Sequence, residues 1–123
     1  MKDIEKLKNA IEECNNIVVF SGAGLSTNSG IPDFRSADGI YNQKLKTSVR
    51  PEEIISHSFF LKYPDDFYKF YFDKMIYPNA LPNSAHLYFA ELEKKGKVKA
   101  VVTQNIDNLH QMAGSKNVIE LHG

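Results

Sequence analysis

Apolar residues recur three and four positions apart at the start of the chain. Ile4, Leu7 and Ile11, with Cys14 continuing the face, predict an amphipathic helix packed against the next elements of the chain, and Asn15-Asn16 ends it. The period then changes. Ile17 to Phe20 is an unbroken apolar run, the pattern of a strand covered on both faces, as in a parallel sheet flanked by helices. Gly22-Ala23-Gly24 turns the chain, and Leu25 to Asn28 can begin a short helix. From Gly30 to about Arg50 no sustained period is present, and a loop of that length inside a domain is usually functional or disordered.

Pro51-Glu52-Glu53 reads as a helix start, with proline early and acids in the first turn. The stretch Ser58 to Tyr77 is dense in aromatics. Phe67, Phe70, Tyr71 and Lys74 fall at helical spacing, which favours a core or groove lining over a cofactor box. Pro78 and Pro82 break the chain, and Ser84 caps a helix running through Ala85, Tyr88, Phe89 and Leu92 to a Gly96 stop. His86, in its first turn, reads as a hydrogen-bonded packing residue and not a ligand. Lys97 to Thr103 is a second buried strand, Asp107 to Ala113 a short helix stopped by Gly114, and Asn117 to Gly123 a third strand with His122 at its C-terminal end. Strands separated by helices imply crossover units. The expected class is α/β, a Rossmann-like parallel sheet with flanking helices.

Composition narrows the partners. With 123 residues, 42% hydrophobic and 24% charged, the chain fits one globular domain. Lys plus Arg equals Asp plus Glu at 15 each, and no block of like charge offers a strip to nucleic acid or anionic lipid. The N-terminus is charged at helical spacing, and no run approaches the roughly 18 apolar residues of a membrane span. The expectation is a cytoplasmic protein with no nucleic-acid or membrane partner; the pattern sets no oligomeric state. Cys14 is the only cysteine, which excludes an internal disulfide and a cysteine-based zinc site within these residues and reads as a half-buried helix position.

In parallel α/β sheets ligands sit beyond the carboxyl ends of the strands, and the unusual residues fall there. Gly22-Ala23-Gly24 follows the first strand, Gln104 to Asp107 the second, and His122-Gly123 the third. The first turn supplies Gly-x-Gly, with main-chain amides able to face a pyrophosphate, but Thr27 stands where a dinucleotide fingerprint needs its third glycine. Either a phosphate cradle or an ordinary tight turn fits that pattern. Asp107 reads equally as a site carboxylate or as the cap of its own helix, and Asn105 as a site amide or a turn residue. His122 reads as a strand-end structural histidine or a general base.

The string "GAGLSTNSGIPDFR", together with "TQNIDNLH" and a final "HG", resembles the sirtuins, the NAD-dependent protein-lysine deacylases. Three separated motifs in the same order carry the likeness, which runs from about Ile4 to Gly123 and covers the first half of a sirtuin. It implies a partial NAD-binding, Rossmann-like catalytic domain, truncated after the His-Gly motif. The family's zinc module, two pairs of cysteines, and the second half of its Rossmann domain come after that point, so zinc is expected only of the complete domain. The resemblance makes Gly22, Ala23 and Gly24 the cradle of the NAD phosphates, with Ser26, Ile31 and Arg35 close to the cofactor. Asp33, Phe34 and Arg35 belong to a mobile cofactor loop. Gln104 reaches the ribose, while Asn105, Ile106 and Asp107 form the nicotinamide pocket. His122 is the base, with Asn105 also catalytic. The implied activity is transfer of acetyl from a protein or peptide lysine to ADP-ribose with nicotinamide released. The alternatives are a catalytically inactive nucleotide-binding fragment and an NAD-dependent ADP-ribosyltransferase.

Overall fold

The computed structural model describes residues 1–36, 38–42 and 49–123. Part of the aperiodic stretch from Gly30 to about Arg50 therefore lies outside the described residues. Three parallel strands, β1 (Ile17–Ser21), β2 (Val98–Thr103) and β3 (Val118–Glu120), stand in the order β1-β2-β3. Parallel neighbours need a crossover, and each connection here contains helix. Helix α1 (Lys2–Glu13) precedes β1; α2 (Pro51–Ile54), α3 (His57–Lys62), α4 (Pro64–Phe70) and α5 (Ser84–Lys94) lie between β1 and β2; α6 (Leu109–Ala113) joins β2 to β3. The expected parallel sheet with flanking helices is what forms.

Register decides which side chains enter the core. Val19 pairs with Val101 and Val101 with Val118, so these three share one face. That face packs with Leu92 of α5, Val98 and the partly buried Ile11, Ile17 and Phe89. Val101, in the central strand, is 0% exposed. A second apolar cluster, Ile40, Ile54 and Phe70 with Phe34, Val49, Ile55, Phe59 and Met75, holds the α2–α4 segment together.

The opposite sheet face departs from expectation. Val18 is 62% and Phe20 66% exposed, and Ile119 and Leu121 are exposed as well. Among the described residues β1 is thus covered on one face only: the helices between β1 and β2 that meet the sheet pack on the Val19 side. An apolar run marks a side chain's preference, not the element that satisfies it. The same holds for α1, where Ile4 and Leu7 are exposed and only Ile11 joins the core. Helix α1 is held instead at its C-terminal end. Lys97 Nζ donates to the carbonyls of Ile11, Glu12 and Cys14 at 3.2, 2.7 and 3.1 Å, placing a cation where the helix dipole is negative. Cys14 itself, expected half-buried, is an exposed C-cap residue.

Local capping also corrects the sequence reading. Asn83, not Ser84, is the N-cap of α5: its side chain accepts from the Ala85 N–H. Gly96 and Gly114 stop their helices as expected, at φ +78° and +110°, a conformation that costs glycine nothing. The aromatic stretch is no single helix: α3 and α4 are separated at Tyr63, and α4 runs into a π turn at Tyr71–Met75.

Candidate functional site

The carboxyl ends of β1 and β2 carry Ser21 and Thr103, both buried and paired across the sheet. Beyond them two turns face each other. After β1, Gly22 leads into a 3-10 helix, Ala23–Ser29, closed by Gly30 at φ +86°. The short helix foreseen at Leu25 to Asn28 is this tighter 3-10 turn. After β2, Gln104 to Asn108 bends into α6, whose start is expected at Asp107 and found at Leu109.

Hydrogen bonds lock the turns together. Asn105 Nδ2 donates to the Gly22 carbonyl at 3.0 Å and to Ser26 Oγ at 3.4 Å, while buried Ser26 Oγ donates to Asp107 Oδ2 at 2.5 Å. Asp107 Oδ1 accepts from the Leu109 N–H at 3.0 Å. Asp107 precedes the N-cap of α6, Asn108, and is not the cap itself: one of its oxygens meets the first N–H of the helix and the other anchors Ser26.

Two histidines stand behind this array. His86 and His110 are 0% and 1% exposed, their rings 5.0 Å apart and near perpendicular. His86 Nδ1 accepts from the Asn83 N–H at 3.1 Å, so its proton is on Nε2, 3.5 Å from Ser26 Oγ. The packing reading of His86 holds, with a polar tip aimed at the site. His110 Nε2 is 2.8 Å from Ser21 Oγ, which gives its own proton to Thr103 Oγ1 at 2.9 Å. With the Ser21 proton on Thr103 Oγ1, His110 is the donor through Nε2, and its buried Nδ1 has no hydrogen-bond partner among the described residues. Burial pushes both histidines below their ordinary pKa; the neighbouring His86 lowers His110 further, and the Asp107 carboxylate opposes the shift in both.

The segment after Gly30 borders a cavity of about 550 Å³ whose lining includes Ile31, Asp33, Asp38 and Tyr77. Burial raises the Tyr77 pKa. Asp33 accepts from the Ser36 hydroxyl and main chain, and the Asp33 and Phe34 carbonyls accept from the Ile40 and Tyr41 amides. The return is tight. A Cβ on Gly39 would meet Asp33 Oδ1 at 2.7 Å and the Phe34 carbonyl at 2.8 Å. The Phe34 ring packs on Tyr41 and on the Ile40, Ile54 and Phe70 cluster.

Of the residues expected at a site, Gly22, Ser26, Asn105 and Asp107 are brought into one bonded array. Gln104 adjoins it, its Oε1 lying 3.2 Å from where a Cβ on Gly22 would be. Ala23 and Gly24 open the 3-10 turn, and Ile106 is half-buried between Asn105 and Asp107. Ile31 and Asp33 line the cavity instead, and Arg35 is exposed on the loop. His122 is exposed just past β3, with no side-chain hydrogen bond among the described residues; its neighbour Leu121 donates its N–H to the Thr103 carbonyl at 2.9 Å. Sequence reasoning missed Ser21, Thr103, Asn83 and His110. A hydroxyl residue closing each of two buried strands was the available signal for the first pair.

Polar side chains gathered past the carboxyl ends of a parallel sheet, opposite a glycine turn, are the arrangement in which open α/β sheets bind ligands. The model of the Sir2 family matches residues 22–123, and the chain belongs to that family, as the resemblance to sirtuins implied. It is 63% identical over 120 residues to an NAD-dependent protein deacetylase of Clostridium perfringens (strain 13 / Type A), covering 98% of this chain and 49% of the relative. A protein of the same description from Sulfolobus acidocaldarius is 46% identical over 124 residues, covering 100% and 47%. A solved Sir2 homologue mutant in complex with ADP-ribose superposes with a TM-score of 0.84 at 47% identity, over 97% of this chain and 46% of that one. A Sir2 mutant with a deacetylated p53 peptide and 3′-O-acetyl-ADP-ribose superposes with a TM-score of 0.84 at 44% identity, over 96% and 46%. The chain spans about half the length of the curated relatives it matches.

Proposed function

We propose that the chain supplies the NAD-handling half of a cytoplasmic protein-lysine deacetylase that moves acetyl from lysine to ADP-ribose and releases nicotinamide. The observation that carries this is the array joining Gly22, Ser26, Asn105 and Asp107, in a chain 63% identical to a protein named as such a deacetylase.

The residues present fit the cofactor. Nothing lies within 4 Å of a Cβ built on Gly24, so the main chain at that point of the turn is open to a phosphate. When bound, NAD supplies the bond between ribose and nicotinamide whose cleavage makes the acyl transfer favourable. Asp107 commits one acceptor site to Leu109 and one to Ser26, and a carboxylate has about four, which leaves it free to accept from a carboxamide N–H. The Asn105 amide nitrogen is occupied by Gly22 and Ser26, which leaves its Oδ1 as the acceptor it would offer in the nicotinamide pocket. Gln104 would reach the nicotinamide ribose, and Ile31, Asp33, Phe34 and Arg35 belong to the loop that would face the cofactor. His122, just past β3, would take a proton from a ribose hydroxyl. Zinc, implied for the complete family domain, has no ligand set among the described residues, and no step here draws on it.

The test joins this chain to the C-terminal half of the Clostridium perfringens relative and supplies NAD with an acetyl-lysine peptide. Nicotinamide and free lysine formed together support the reading. ADP-ribose appearing on protein without deacetylation would replace it with an ADP-ribosyltransferase, and NAD binding without turnover with a nucleotide-binding protein.

A further inference from the structure

We infer that His110 is a positioning residue: from behind the sheet it orders the Ser21 and Thr103 hydroxyls so that Thr103 holds the Asn105 main chain in the site. The inference rests on the reading of Asn105 as a site residue. It begins from a cost. A buried imidazole gives up hydration at two polar nitrogens that an apolar ring of similar size would not have, so packing alone does not account for a histidine here.

What the imidazole adds is a proton on a fixed atom. Its Nε2–H donates to Ser21 Oγ at 2.8 Å, so the Ser21 proton must point away, to Thr103 Oγ1 at 2.9 Å. With that lone pair filled, the Thr103 proton turns to the Ser21 carbonyl at 3.3 Å, and the remaining lone pair of Oγ1 accepts the Asn105 N–H at 3.1 Å. Each hydroxyl then both donates and accepts, with Ser21 and Asn105 converging on Thr103 Oγ1, the condition under which neighbouring hydrogen bonds reinforce one another. With the proton on Nδ1 instead, Ser21 would donate to Nε2 and Thr103 to Ser21 Oγ, and the Thr103 bond to the Ser21 carbonyl would be given up.

The chain ends where position matters. Asn105, held through its N–H by Thr103, reaches the Gly22 carbonyl with its side chain, so the two turns of the site are set at one distance. The same Thr103 receives the Leu121 N–H on its carbonyl, one residue before His122, and the Ser21 carbonyl receives the Gln104 N–H. His110 touches none of the reacting groups and acts through Ser21 and Thr103.

The test is made on this chain by NMR. Long-range proton–nitrogen correlations of His110 are expected to show the Nε2–H tautomer. Amide exchange at Asn105 is expected to quicken about fivefold in His110→Phe, which removes one bond worth about 1 kcal/mol to the chain's order, and further in Ser21→Ala, which removes two. His110→Gln, whose amide nitrogen replaces Nε2–H, should return it to within about twofold. The Val101 amide of β2, bonded to the Asn117 carbonyl just before β3, serves as the reference and should keep its rate. An Nδ1–H tautomer, or Asn105 and Val101 responding equally in every variant, would overturn the inference. Should His110→Phe fail to fold, Ser21→Ala and the tautomer decide. In the polypeptide joined to the Clostridium perfringens half, His110→Phe should raise the KM for NAD severalfold more than it lowers kcat, with His110→Gln restoring it. Absence of NAD-dependent turnover in the unsubstituted joined polypeptide would refute the proposed function and leave the exchange result standing.

Discussion

Replacing Asn83 tests how the glycine turn is tied to the helices. Asn83 does two jobs with one amide. Its Oδ1 accepts from the Ala85 N–H at 2.9 Å and caps α5; its Nδ2 donates to the Leu25 carbonyl at 2.8 Å and to Ser29 Oγ at 3.0 Å, both in the 3-10 turn after Gly22. Asn83→Ala loses the cap, about 1 kcal/mol, and two further bonds at about 1 kcal/mol each. The expected cost is about 2–4 kcal/mol, read as a lower urea midpoint at unchanged slope by far-ultraviolet circular dichroism. At roughly 4 °C per kcal/mol for a chain of this size, the melting point should fall by about 8–16 °C. Asn83→Asp separates the jobs, because it keeps the cap acceptor, gains about 0.3–1 kcal/mol at the helix N-terminus and loses both donors. It should fall between wild type and alanine. Pairing Asn83→Ala with Ser29→Ala should reveal a coupling of at least about 0.5 kcal/mol. A loss below about 1 kcal/mol in Asn83→Ala, with no coupling to Ser29, would mean that Asn83 is a cap alone and the tie to the turn adds nothing.

Further outcomes are expected. Because the folded pKa values of His86 and His110 lie below their unfolded ones, the unfolded state binds more protons, and stability is complete above about pH 6.5 and lost as pH falls from there through the folded values; a urea midpoint flat from pH 7.5 to 5 would contradict this. Val101→Ala, at 0% exposure, should cost about 2 kcal/mol, whereas Phe20→Ala on the open face should cost under about 0.5 kcal/mol; melting curves of the two check which face is the core. In the joined polypeptide, His122→Ala should lower deacetylation about 10²- to 10⁴-fold while calorimetry still detects NAD, and near-normal turnover would remove the histidine from the role of base.

Legible along the chain is whatever neighbours in sequence encode. The strand runs, the helix stops at Gly96 and Gly114, and the placing of Gly22, Asn105 and Asp107 just past strands all come from local periodicity and from backbone conformations that glycine alone adopts freely. Ser84 reads as the cap of α5 because two adjacent residues, Asn83 and Ser84, have caps' chemistry, and only the meeting of Asn83 with Leu25 and Ser29 chooses between them. The burial of β1 misleads for a related reason. An apolar run states that side chains gain by leaving water, and says nothing of which element is there to receive them; the register of Val19, Val101 and Val118 against Leu92 decides that Val19 is core and Phe20 is not. His110 lies beyond reach altogether. Its partner Ser21 is 89 residues away, and neither residue type predicts the other. Propensity acts over a few residues, whereas the direction of a hydrogen bond exists only once the sheet has brought donor and acceptor within about 3 Å. The sequence by itself therefore determined the elements and the turns, and tertiary packing alone determined which polar atoms answer one another.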